Sequence, residues 1–493
     1  MTEIALKRTI DLAAMIRDRE IGSRELLDHY LDRVERFNPT LNAIVAMDIE
    51  GARQRADEAD AALARGENWG PLHGLPTTIK ELFEVAGFPW TAGDPQFAER
   101  IAKANVPAVQ RIIDAGAVIF GLTNSPLIGM DVQTYNEVYG TTNNPWDTDR
   151  SPGGSSGGTA VALSTGMTGL DIGSDIGGSI RNPAHYSGIY GHKPTFGIVP
   201  RQRLQPPGLM GVGDLSVVGP LARSAEDLDF GLSIIAGPER DRASAWSLDL
   251  PAPRHDSLKS YRVAAWLDDP YAPVDSAVLD RLHATVEALR GAGVEVDEQA
   301  RPEIDFAETD RVYRSLLAST GARGLSEEGF APIAEVEDEV AWEDADEPPT
   351  EQRTPALRYR EWLHLNEARE QLRARWQQFF ESYDVLLMPV TPVTAIPHDH
   401  GERQPLHNRG ATGTYRTISV NGEQRPYNDQ LSWVGLITMV YLPASVAPVG
   451  LSADGLPVGV QIVAPYLEDR TAIDFAKRLG EVIGGYQPPP GYE

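Results

Sequence analysis

Two glycine clusters that carry serines, and one lysine, are the residues of this chain best suited to chemistry. Residues 151–159 read SPGGSSGGT and residues 174–181 read SDIGGSIR. Glycines beside a serine let the backbone take uncommon dihedrals and approach a ligand closely. In the second cluster, consecutive glycines before Ser179 can turn several backbone N–H groups toward one point, as an oxyanion beside a nucleophile requires. A serine nucleophile also needs a base, and Lys80 is the candidate. Its stem leaves the apolar, strand-like run LPTTIKELF at residues 75–83. Burial there would favour the neutral amine, because the ammonium loses its solvation. Each feature alone has an ordinary structural reading: a flexible linker, a tight turn, a surface lysine. The linker reading is weak for residues 151–159, since the well-patterned run AVALSTGMTGLDIGSDIGG follows at once.

Phosphate chemistry finds no support in these clusters. Neither is followed by Lys-Ser or Lys-Thr, so the P-loop is absent, and neither forms G-x-G-x-x-G. Gly153 to Gly157 does satisfy G-x-S-x-G, the nucleophile-elbow pattern, which would make Ser155 the attacking group. That reading needs a later acid and then a histidine, and His364, His398, His400 and His407 all stand downstream. The group His398, Asp399, His400 and His407 has no third ligand type at firm spacing, so no metal and no cofactor are expected.

The elements that must position these residues follow from periodicity. Ser23 is an N-cap candidate, and Leu26, Leu27, Tyr30, Leu31, Val34 and Phe37 then recur at helical spacing, with Asn38 and Pro39 expected to end the helix. A second helix is expected over 49–65. From residue 71 to 232, short apolar runs at 77–80, 117–122 and 169–172 alternate with polar loops, and a helical pattern at 106–115 precedes the second run. These are βα units of an α/β protein. Strand, helix and strand are expected again over 261–300, helices over 304–380, and strands at 383–388 and 458–463. The acidic run 335–347 is expected to be a solvated loop.

Composition bounds the partners. The chain has 493 residues, with 44 basic against 71 acidic side chains and a formal net charge of −27. Such a surface repels phosphate backbones and anionic lipid, so neither nucleic acid nor membrane is expected as a ligand. The absence of cysteine removes disulfides, thiolate metal sites and a cysteine nucleophile. No apolar stretch of about 18 residues occurs, and the N-terminal sequence lacks a long apolar core, so a cytoplasmic location is expected. Only six of the basic residues are lysines, which sharpens interest in Lys80.

The segments GPLHGLPTTIKELF, SPGGSSGGT and GSDIGGSIRNPA, in this order and spacing, resemble the amidase signature family. Further similar segments are NPTLNAIV at 38–45, GHKPTFGIVP at 191–200, VVGPLARSAEDL at 217–228, DVLLMPVTP at 384–392 and GLPVGVQIVAP at 455–465. The resemblance implies one α/β/α sandwich with a mixed central sheet over residues 1–493. Within it, 1–69 would be N-terminal helices and 70–240 the catalytic core. Residues 250–380 would form a variable, mostly helical substrate-side region, and 381–493 the C-terminal strands and pocket loops. It implies hydrolysis of amide C–N bonds by a Ser–Ser–Lys triad without a metal. Ser179 would attack, Ser155 would relay the proton after a cis peptide bond, and Lys80 would be the base. Backbone N–H groups of Ile176, Gly177, Gly178 and Ser179 would form the oxyanion hole, with Asp175 and Arg181 holding the loop. The motif departs from the usual family pattern at Leu122, Leu127 and residues 133–137 (QTYNE), which alters the cleft wall.

Specificity would then lie in residues 125–137, 304–350 and 396–442. The last of these holds Tyr415, Tyr427, Trp433, Met439 and Tyr441 with few charges nearby. An apolar pocket for an aryl or long acyl group is expected, with Met130, Tyr135, Trp433 and Tyr441 as its candidate residues. The expected partner is a small-molecule amide or carbamate, and a homodimer is allowed for. The alternative is the glutaminase component of a tRNA-dependent amidotransferase, which would need a partner protein and a charged pocket.

Overall fold

The N-terminal helix Ser23–Leu41 buries Leu26, Leu27, Tyr30, Val34, Phe37 and Leu41, the face its spacing defines. Its boundaries differ from those read off the sequence. The cap position is Gly22, and Ser23 is instead the first helical residue, its hydroxyl donating to the Gly74 carbonyl. Pro39 lies inside the last turn rather than beyond it. A proline there removes only one terminal hydrogen bond. The Asn38 Oδ1 accepts from the N–H groups of Ala43 and Ile44, each at 2.9 Å, and so secures the exit. The second helix, Ile49–Ala64, follows as expected.

The computed structural model describes residues 4–201, 211–322, 356–402 and 415–493, with 327, 330, 331 and 334. The acidic run 335–347 and His407 lie outside the described residues. Three strands, β1 (Ile44–Met47), β2 (Pro76–Lys80) and β3 (Val118–Thr123), form a sheet of their own in the order β1-β3-β2, with β2 and β3 parallel. Eight more form the large sheet: β4 (Leu170–Asp175), β5 (Tyr190–Lys193), β6 (Val217–Ala222), β7 (Val263–Ala265), β8 (Val296–Asp297), β9 (Val385–Pro389), β10 (Ala444–Leu451) and β11 (Pro457–Val463). Their order is β8-β7-β9-β11-β10-β5-β6-β4. The pairs β8·β7 and β7·β9 are parallel and the rest antiparallel, so the sheet is mixed. Helices flank it. Ser276–Gly291 and Asp469–Ile483 pack on β10, Arg181–Ser187 on β10 and β11, and Gly157–Ser164 on β4 and β6.

Strand β2 does not join the large sheet, although it lies beside β4. Side chains make the connection where a backbone ladder does not: Thr77 Oγ1 donates to the Leu170 carbonyl and Thr78 Oγ1 to Asp171 Oδ2. Lys80, at the end of β2, is thereby aimed at the end of β4 and the loop that follows it. Among the described residues, no helix is long and apolar enough to cross a membrane.

Candidate active site

All five residues of β2 are buried, so the Lys80 amine has no solvent to turn to. It meets three hydroxyls instead. Its Nζ lies 2.7 Å from Ser155 Oγ, 2.9 Å from Ser156 Oγ and 3.1 Å from Ser174 Oγ. Burial lowers its pKa to about 7, against the opposing pull of Asp175 and Asp171. A neutral amine has two N–H donors and one lone pair. Three hydroxyl neighbours can satisfy it in either protonation state, so the site can hold a base without fixing its charge.

Ser155 follows a cis Gly154–Ser155 peptide, and Ser156 stands at the N-cap position of the helix Gly157–Ser164 with its hydroxyl turned to Lys80 rather than to the helix. The Ser156 N–H donates to the Ser179 carbonyl at 3.2 Å, which ties the two serine loops together. The nearest base to Ser155 is thus a lysine, where the nucleophile-elbow reading needs an imidazole. His400 stacks on Tyr135 at 3.8 Å between ring centroids, and the His398 N–H donates to the Asp149 carbonyl. His364 lies on the separate helix Tyr359–Ser382.

The loop 176–180 leaves the end of β4 and is organised by one carboxylate. Asp175 accepts from the N–H groups of Gly178 (2.9 Å) and Ile180 (3.1 Å), and from Arg181 Nε (3.0 Å) and Nη2 (2.8 Å). Burial works against its charge, but Arg181 overrides that and holds the carboxyl at about 2. Arg181 is itself anchored on Gln461 Oε1, Thr438 Oγ1 and the Val434 carbonyl. Four N–H donors were expected to converge here, and one is otherwise engaged. Gly178, at φ +92°, turns its N–H back onto Asp175. The N–H groups of Ile176, Gly177 and Ser179 meet no acceptor among the described residues.

Ser179 opens into a cleft lined by Met130, Val132, Ile176, Leu317 and Leu431, with Asp131, Tyr427 and Asn428 among its polar members. The charge of Asp131 is covered. Its Oδ2 accepts from Arg416 Nη2 at 2.8 Å and its Oδ1 from the Tyr427 hydroxyl at 2.7 Å, while Gln133 Nε2 donates to that hydroxyl at 3.2 Å. Of the four expected pocket residues, only Met130 is in this lining. Trp433 is fully buried in an aromatic cluster with Trp266 and Phe306, its Nε1 donating to the Ala272 carbonyl. Tyr441 stacks on Phe196 and donates to Asp214. Tyr135 is occupied by His400. Leu127 is exposed, and Leu122 is buried within β3.

Sequence reasoning did not single out Ser156, Ser174 or Leu317, nor the contacts of Asp131 with Arg416 and Tyr427, although it named Tyr427 and the segments that hold the others. The first two carried a signal, since both lie within or beside the glycine clusters. The others are assembled from distant segments. Among the described residues no group of three His, Cys, Asp or Glu side chains is placed to hold a metal.

Comparison with known proteins is consistent with this architecture. The Amidase family model matches residues 25–473. Fatty-acid amide hydrolase 2-A of Danio rerio is 31% identical, the alignment covering 99% of this chain and 90% of that protein. A glutamyl-tRNA(Gln) amidotransferase subunit of Acidothermus cellulolyticus is 33% identical over 95% and 93% of the two chains. Indoleacetamide hydrolase of Bradyrhizobium diazoefficiens is 32% identical over 96% and 86%. A bacterial aryl acylamidase of the amidase signature family shares the fold at a TM-score of 0.78 and 22% identity, covering 97% of this chain and 96% of that one. Both the family match over most of the chain and the near full-length relatives above 30% identity lead to one conclusion: this protein belongs to the amidase signature family, whose hydrolases act on amide bonds.

Proposed function

We propose that this amidase forms a single domain and cleaves small amides with an apolar or aryl acyl group, using Ser179 as nucleophile, Ser155 as relay and Lys80 as base. The observation that carries the reading is a buried amine contacting Ser155, in a loop tied to Ser179, whose own cleft is mainly apolar. The neutral Lys80 takes the Ser155 proton while Ser155 takes that of Ser179, and Ser179 Oγ bonds to the amide carbon. The oxyanion is received by the N–H groups of Ile176, Gly177 and Ser179, each worth about 3 kcal/mol in comparable sites. The proton returns along the same chain to the departing nitrogen as the C–N bond breaks. Water then attacks the acyl ester, loses its proton to the same base, and releases the carboxylic acid.

Relatives named as hydrolases of fatty-acid amides and of indoleacetamide support an apolar or aryl acyl group. The cleft speaks against glutamine. Recognition of its α-amino and α-carboxyl groups needs charges free to pair, and the Asp131 carboxylate is already engaged by Arg416 and Tyr427. The test is product release from anilides, arylacetamides, fatty amides, aryl carbamates and glutamine. Turnover of the aryl or apolar amides that disappears in Ser179→Ala is the expected result. Activity on glutamine alone would overturn the substrate assignment, and activity that survives Ser179→Ala would overturn the nucleophile.

A further inference from the structure

Behind the hydroxyl cluster lies a second buried ionisable side chain that the mechanism above leaves unused. Asp171, on β4, is about 1% exposed. Its Oδ1 accepts from the Ile172 N–H at 2.7 Å, and its Oδ2 from Thr78 Oγ1 at 2.8 Å and Thr123 Oγ1 at 3.1 Å. Thr123 Oγ1 lies 2.8 Å from Thr159 Oγ1, on the helix that begins two residues after Ser155. One carboxyl therefore joins the strand that ends in Lys80, its neighbour β3, the strand that leads to Ser179, and the helix that follows Ser155.

Every one of these partners donates, and a carboxylate accepts at both oxygens where an asparagine offers only one. A carboxyl in so dry a place carries a large desolvation cost, and among the described residues it has no cationic partner in an ion pair. We propose, on the reading that Lys80 is the base, that Asp171 is a positioning residue: it holds Lys80 in register with Ser155 and its negative charge tunes when Lys80 carries a proton. Other charged groups lie near the same amine. Asp175 follows on β4 and acts on this amine more strongly than Asp171 does, but its charge is shared in an ion pair with Arg181 from the next helix. Lys193 on β5 acts on Asp175. Glu81, next to Lys80, is bound to Thr91 instead. Burial raises the Asp171 carboxyl to about 7, the same range into which it lowers Lys80, so the charge state of one bears on the other where the enzyme would work.

The sign follows. An ionised Asp171 favours protonated Lys80, so removing its charge lowers the pKa of Lys80 and moves the acid limb of activity to lower pH. The experiment measures the rate at which a fluorophosphonate probe labels Ser179 from pH 5 to 9, in the wild type, Asp171→Asn and Thr78→Val. Asp171→Asn is expected to shift the acid limb down by about half a pH unit or more, at a plateau rate within about tenfold of wild type. Thr78→Val removes a donor that favours the Asp171 carboxylate, so it is expected to shift the limb the same way by less. Thr78→Val also keeps the test open should Asp171→Asn fail to fold. Limbs that stay in place, while Lys80→Met abolishes labelling, would overturn this proposal and leave the triad standing. Labelling that survives Lys80→Met would overturn the base assignment and this proposal with it. A loss of plateau rate without a shift would mark Asp171 as structural only and overturn its electrostatic role.

Discussion

Lys80 and Lys193 are both fully buried, and in both burial lowers the pKa of the ammonium to about 7. Their amines meet different partners. Lys80 faces three serine hydroxyls. Lys193 faces two backbone carbonyls, those of Pro194 at 3.0 Å and Leu442 at 2.7 Å. A hydroxyl can accept a hydrogen bond or surrender its proton, so a lysine among hydroxyls can exchange one. A carbonyl can only accept, so Lys193 donates in either state and pins two loops together. Desolvation by itself therefore does not make a base. The chemistry of the neighbouring atoms decides, and a shifted pKa in a dry place is only half of the evidence for catalysis.

Substituting each lysine tests that contrast most severely. Lys80→Met is expected to lower kcat/KM on a responsive anilide by about 10³-fold or more, and Lys193→Met to leave it within about tenfold. Equal losses would erase the distinction. Next in size is the pH profile. The wild-type kcat/KM is expected to fall below about pH 7, roughly tenfold per unit, as Lys80 takes up a proton. An acid limb centred near pH 5 would point to a carboxylate base instead.

Lys193 also leaves a signature in stability. A lysine whose folded pKa is lowered binds fewer protons than the unfolded chain between about pH 7 and the ordinary lysine value near 10.4. Stability therefore rises with pH through that window and is flat below it. Chemical denaturation at several pH values should show a shallower rise in Lys193→Met, and loss of the two hydrogen bonds should destabilise it by about 1–3 kcal/mol at the alkaline end. The smallest effect belongs to Ser156→Ala. It removes one of three partners from Lys80, and a loss in kcat of about threefold to tenfold is expected in steady-state assays.

The catalytic candidates were legible because each sits in a short contiguous pattern. Glycines cluster around Ser155 and Ser179 where the chain must bend sharply, and an apolar strand leads to Lys80. Most of the strands and helices were legible for the same local reason. The cleft wall was legible only as segments. Leu317, Arg416 and Tyr427 fall in the segments 304–350 and 396–442 assigned to specificity, but which of their residues reach Met130 and Asp131 is decided by tertiary packing. Trp433 misled for a related reason: an aromatic residue amid few charges suits a pocket and a core equally well, and here it packs on Trp266 and Phe306. Gly178 shows the limit of a glycine motif. The freedom to turn an N–H was readable from the sequence, but the direction in which it turns depends on Asp175.

The Asp131–Arg416–Tyr427 group also bears on how such an enzyme changes over generations. Apart from Ile176 and Gly177 beside Ser179, the wall it braces is drawn from stretches other than those bearing Lys80, Ser155 and Ser179. On the proposed roles, reaction and appetite are inherited largely on separate parts of the chain. A lineage can trade one substrate for another by editing Met130, Leu317 or Leu431 while its hydrolytic machinery stays untouched. The engineer has the same liberty, with one proviso: Asp131 and Arg416 must be exchanged together, since removing either breaks the buried ion pair between them.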